Sequence, residues 1–153
     1  MKEMNVMEVS GRNLVVADVI VKYVMKTLRR DLDQLVQKDA PCFVMLGQEV
    51  KVQGEMFGQR FKGYVDRLDS LVDGEVRVVD YKTGKVLEND ENITDDNAED
   101  IADMIFDPSC KERPKIALQF FIYDMLLKGN PLVDGMKISN SVYSTAHLFT
   151  DPP

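Results

Sequence analysis

The chain has 153 residues, a formal net charge of −7, and 44% hydrophobic and 29% charged residues, the balance of one globular domain with a core of its own. No apolar run approaches the roughly 18 residues of a membrane span and no leader pattern opens the chain, so it reads as cytoplasmic, with no membrane partner. Cys42 and Cys110 lack metal-ligand spacing, and a catalytic triad would have to rest on the single histidine, His147.

The negative charge argues against a nucleic-acid partner until its location is considered. Residues 88–103 hold eight acids and no base, and without them the charge moves from −7 to +1. The acidity is local.

Residues 1–12 show no clear period. Asn13 can cap a helix running to about Lys38, whose apolar positions Val21, Val24, Met25, Leu28, Leu32, Leu35 and Val36 follow helical spacing. Lys22, Lys26, Arg29 and Arg30 share another face, either simply solvated or a stripe that tracks phosphates. Asp39-Ala40-Pro41 ends the helix. Phe43–Leu46 and Glu49–Val52 read as short strands, and residues 54–58 as a turn.

The central stretch runs from Gly63 to Lys85. Tyr64–Val72 and Val76–Tyr81 flank Asp73-Gly74, a hairpin signal. A two-residue loop would set Asp66 opposite Tyr81. A three-residue loop with Gly74 in the left-handed conformation sets Leu71 opposite Glu75 and Asp66 opposite Asp80, and is favoured because such a loop wants glycine third. Asp80 and Lys82, two apart, share a face. Asp66, Asp80 and Lys82 then converge on one side of the sheet as a candidate metal site, while Arg67 and Asp69 fall on the other side as structural or peripheral groups. The plainer alternative is a set of cross-strand salt bridges.

Residues 88–100 are polar and acidic and are expected to form a mobile loop that the fold can dispense with. The segment imitates a calcium loop at Asp90, Asn92 and Thr94, but Asp95 stands where that loop needs glycine and Ile101 where it needs glutamate. Ile101–Phe106 suits a short helical turn. Pro114 opens a helix running to about Lys128, with Gly129 as its stop. Gln119 and Tyr123 lie one turn apart on it, as a functional pair or as core neighbours. Lys137–Leu148 suits a last strand. No segment repeats, and no phosphate-binding G-x-x-x-x-G-K-[ST] loop is present.

Gly63-Tyr64-Val65-Asp66-Arg67-Leu68-Asp69, Val79-Asp80-Tyr81-Lys82-Thr83-Gly84 and Gln119-Phe120-Phe121-Ile122-Tyr123 together resemble the PD-(D/E)XK nuclease superfamily, in its RecB-like branch, the last as a Q-x-x-x-Y motif. The resemblance implies an α/β (α+β) restriction-endonuclease-like core: a mixed central sheet around a catalytic β-hairpin, with flanking helices. It implies magnesium, with manganese as substitute, held by Asp66, Asp80 and the backbone carbonyl of Tyr81. Lys82 would orient the attacking water or stabilise the developing charge, and Gln119 and Tyr123 would contact DNA. The expected activity is exonucleolytic processing of DNA ends in repair or recombination, beside a helicase domain or subunit. No iron–sulfur cluster is expected from two cysteines, and no histidine precedes position 147 where many relatives carry an extra metal ligand. The chain thus reads as one domain over 1–153, a piece of a longer protein. A catalytically silent DNA-binding or scaffolding domain and a restriction-type endonuclease are the rival readings.

Overall fold

The computed structural model describes residues 10–84, 86–91 and 93–145; the start of the chain, Lys85, Asn92 and the end of the chain, His147 included, lie outside them. Helix α1 (Arg12–Gln37) begins one residue before the expected cap, with Gly11 at the cap position. It closes as anticipated before Pro41. Asp39 turns left-handed at φ 51°, its N–H meets Val36 O at 3.2 Å, and the N–H of Ala40 meets Leu35 O at 2.9 Å. Those bonds satisfy carbonyls that a helix end leaves open.

Strand β1 (Val44–Met56) is one strand where two short ones were expected. The turn at Phe57-Gly58 joins it to β2 (Gln59–Ser70), and Met56 pairs with Gln59. The long hairpin buries its apolar positions only near the sheet centre, so the outer half of β1 carries too little hydrophobic pattern to be read as strand. Strand β3 (Glu75–Lys82) follows the Asp73-Gly74 turn. Its ladder with β2 pairs Arg67 with Val79, Leu68 with Val78 and Asp69 with Arg77. This is the register of the three-residue loop, and Gly74 adopts φ 80° as that loop requires.

Helices α2 (Glu88–Glu91), α3 (Ala98–Phe106) and α4 (Lys115–Leu127) fill the crossover to β4 (Lys137–Ser144), which lies parallel to β3. The sheet runs β1-β2-β3-β4 with the first two pairings antiparallel. The mixed α/β architecture expected from the motifs is therefore present. The last strand was expected to reach Leu148, and residues 146–148 fall outside the described ones. No helix among the described residues is long and apolar enough to cross a membrane.

Helix α4 builds the core. Ile116, Phe120, Tyr123 and Leu127 pack with Val65, Leu68, Val76 and Val78 of the hairpin. The acidic segment differs from a bare loop. Asp90 is buried, and its Oδ1 accepts the N–H groups of Ile116 at 2.8 Å and Ala117 at 3.0 Å. Pro114 occupies the cap position of α4 and cannot serve these donors, so an acid from α2 takes that place. Ile101 of α3 is buried as well.

Candidate active site

The hairpin register sets Asp66 beside Asp80, because that pair is the next step past Arg67 and Val79, the last pair of the ladder. The ladder stops there. The N–H of Tyr81 donates instead to Asp66 Oδ2 at 2.9 Å. A side chain has replaced a backbone acceptor, which fixes Asp66 against the strand that carries Asp80 and Lys82.

Asp80 is 2% exposed. The Lys82 ammonium stands 2.6 Å from its Oδ2 and donates to Gln119 Oε1 at 2.9 Å. Gln119 Nε2 donates to Asp80 Oδ1 at 3.1 Å and to the Tyr123 hydroxyl at 2.8 Å. That hydroxyl donates to the carbonyl of Tyr64 at 2.8 Å. The donors and acceptors fit one orientation of the Gln119 amide, with oxygen toward lysine and nitrogen toward carboxylate. Gln119 thus bridges the acid and the base.

Burial pushes the Asp80 carboxyl above its ordinary range, the Lys82 ammonium pulls it back, and the charge of Asp66 adds to the rise. Its Oδ2 is buried and has the Lys82 ammonium as its partner. A buried carboxylate needs such a counter-charge, and a cation beside it would supply the same compensation. Among the described residues no group of three or more His, Cys, Asp or Glu is arranged to hold a metal ion. Two carboxylates beside a backbone carbonyl nevertheless fit a small hard ion such as magnesium, which keeps several waters and takes only one or two carboxylates from the protein.

Tyr123 was expected to reach DNA. It is 8% exposed, with its hydroxyl already bonded to Tyr64 and Gln119. Its side chain lies between α4 and β2, against Gly63, where a Cβ would come within 2.7 Å of Tyr123 Cε1. Gly63 is the residue that lets the helix approach so closely.

Behind the hairpin, on the face opposite Asp80, lies a second polar cluster. Arg67 Nε donates to Asp69 Oδ2 at 2.6 Å, and Arg77 Nε donates to Asp69 Oδ1 at 2.9 Å. Arg67 also forks onto Asp31 of α1, at 2.8 and 3.1 Å. The hydroxyl of Tyr143 donates to Asp31 Oδ1 at 2.7 Å, and Arg67 Nη1 reaches the Tyr81 hydroxyl at 3.1 Å. Burial alone would lower the pKa of Arg67, but its bonds to Asp31 and Tyr81 and the charge of Asp69 more than offset that and raise it. Tyr143 is pushed up, chiefly by burial. Two arginines and two aspartates balance in charge, which is how buried ions are tolerated.

Sequence reading put Arg67 and Asp69 on this face as structural groups but did not find Asp31, Arg77 and Tyr143. The alternation along β3 marks Arg77 as lying opposite Val76 and Val78, a signal available in the chain. Asp31 sits 36 residues from Arg67, and no local pattern joins them.

A family model described as the PD-(D/E)XK nuclease superfamily matches residues 9–141, which takes in α1, the hairpin, α4 and most of β4. No curated protein and no solved structure matches the chain.

Proposed function

Because the chain belongs to the PD-(D/E)XK nuclease superfamily, we propose that it hydrolyses DNA phosphodiesters with magnesium, acting exonucleolytically on ends beside a helicase domain or subunit. One observation supports the catalytic part: Gln119 holds Asp80 and Lys82 together, and the N–H of Tyr81, between them on β3, holds Asp66 beside that pair. The narrower exonuclease and helicase-linked parts rest on the Gln119–Tyr123 motif and its likeness to the RecB-like branch.

Asp66, Asp80 and the carbonyl of Tyr81 are the groups to hold the cation, which when bound neutralises charge on the scissile phosphate and acidifies water. Lys82 presents its ammonium to the attacking water or to a phosphate oxygen, where negative charge develops. It is 28% exposed, so it can turn from Asp80 toward substrate while its Gln119 bond limits how far it strays. Gln119 and Tyr123 act here by holding Lys82 and Asp80 in place, with DNA contact left to more exposed neighbours such as Tyr64.

End-labelled linear duplex and covalently closed circular DNA, each with magnesium or with EDTA, test the proposal. Loss of linear DNA from its ends in magnesium alone is the expected result. Nicking of the closed circle would replace exonuclease by endonuclease. DNA binding without cleavage in magnesium would make the domain a silent scaffold.

A further inference from the structure

Helix α1 leaves its apolar residues in solvent. Leu14, Val21, Met25, Leu28 and Leu32 are between 51% and 61% exposed. They recur at intervals of seven, four, three and four residues. This is the 3.5-residue repeat of a helix that packs against another helix along a seam, and it runs for most of a helix about 39 Å long. Among the described residues Asp31 is the buried one in α1. The helix is therefore held to the sheet by a charged group, and its apolar seam takes no part in the hairpin core.

The borders of the seam say what suits it. One border turns toward the sheet, where Asp31 sits. The other carries Lys22 and Arg29, each next to a seam residue, with Lys26 and Arg30 further round. We propose that α1 is a docking helix for an amphipathic partner helix whose apolar stripe is edged by aspartate or glutamate facing Lys22 and Arg29. A second copy fits poorly. Antiparallel pairing would bring Lys22 toward Arg29 of the other copy, and parallel pairing would set Asp18, which falls on the seam, against its twin. Asp18 is paired in the free chain with Lys22 at 2.7 Å, both about 60% exposed. An amide or base on the partner opposite Asp18 would complete that position and pin the register, as a single polar seam residue does.

Two synthetic helical peptides test this against the full chain. Both carry leucine along the stripe and asparagine opposite Asp18; one has glutamate at the flanks, the other lysine. Fluorescence anisotropy should show the glutamate peptide binding roughly tenfold tighter or more, with the preference falling as salt rises. Arg29→Glu with Lys22→Glu should reverse the preference. Leu28→Asp should abolish binding of the glutamate peptide while the melting temperature and DNA cleavage stay unchanged, because the side chain is exposed and takes no part in the core. Equal binding of both peptides, or binding untouched by Leu28→Asp, overturns the proposal. So does a concentration-dependent dimer in sedimentation that Leu28→Asp dissolves, since the second copy is then the occupant. Loss of duplex DNA binding in Leu28→Asp also overturns it, in favour of nucleic acid.

Discussion

Gln119 donates to Asp80 Oδ1 at 3.1 Å, and by that bond helix α4 is tied to the strand that carries two of the three charged residues of the site, Asp80 and Lys82. The same amide accepts from Lys82 at 2.9 Å, so one neutral side chain sets the distance between a carboxylate and an ammonium. The sheet supplies the residues, and the helix supplies their spacing.

Gln119→Ala should therefore act on turnover more than on folding. Losing a part-exposed amide costs about 1 kcal/mol of stability. Lys82 loses the acceptor that holds it beside Asp80, and turnover should fall by roughly tenfold to a hundredfold. Single-turnover cleavage beside a thermal melt checks it. A variant that loses several kcal/mol and cleaves normally when folded would make Gln119 a core residue.

Asp80→Asn and Lys82→Ala should fail in different ways. Burial raises the Asp80 pKa, so its ionised form opposes folding, and the amide should melt no lower than the parent at neutral pH while cleavage disappears. Magnesium should raise the melting temperature of the parent and not of Asp80→Asn, as a ligand that binds only the folded state must. Lys82→Ala should keep or strengthen that magnesium-dependent rise and still lose turnover by orders of magnitude. Undiminished cleavage by Lys82→Ala would end the mechanism.

Gly63→Ala is a steric probe of the same helix. Its Cβ would stand 2.7 Å from Tyr123 Cε1 and 3.5 Å from the Tyr123 hydroxyl, so α4 or the ring must give way. The expected cost is about 1–3 kcal/mol, with cleavage falling further because displacement of α4 carries Gln119 off Asp80. A normal melt with normal activity would show that the helix approaches less closely.

Residues 88–100 should not be replaceable by a Gly/Ser linker without loss. Asp90 answers two N–H groups at the start of α4, and Asp90→Ala should cost about 1–2 kcal/mol. Chemical denaturation of Asp90→Ala beside Asp96→Ala, an exposed acid of the same segment, separates a buried cap from surface charge. Equal midpoints would return the segment to the status of dispensable loop.

Asp124 gives a pH prediction away from Asp66 and Asp80. Burial raises its pKa, against the Asn140 bond and the Lys128 charge that lower it, and its Oδ1 is buried without a partner. A raised acid binds its proton more tightly in the folded state. Its contribution is most favourable at and below the ordinary carboxylate range and is lost as pH rises through the raised value. Asp124→Asn should therefore melt higher than the parent at neutral pH, with the gain shrinking toward about pH 4. Asn140 can still donate to the new amide oxygen. A gain independent of pH would show that charge is not the cause.

Local chemistry alone determined the central hairpin. The Asp73-Gly74 pair chose the loop, the loop chose the register, and the two-residue period then put Asp66, Asp80 and Lys82 on one face with Arg67 and Asp69 on the other. Pro114 and Gly129 likewise bracketed α4, because a missing N–H and a left-handed turn are properties of single residues. What the side chains meet across the fold was decided by tertiary structure. Gln119 bridges Asp80 and Lys82 from 39 and 37 residues away. Asp90 caps a helix 26 residues on, and Asp31 closes an ion cluster with Arg67, 36 residues away. The apolar spacing of α1 announced a helix and a face in need of cover, but periodicity cannot name the surface that covers it. Burial depends on what arrives from elsewhere in the chain, and in this fold an aspartate holds α1 to the sheet while its leucines remain in water.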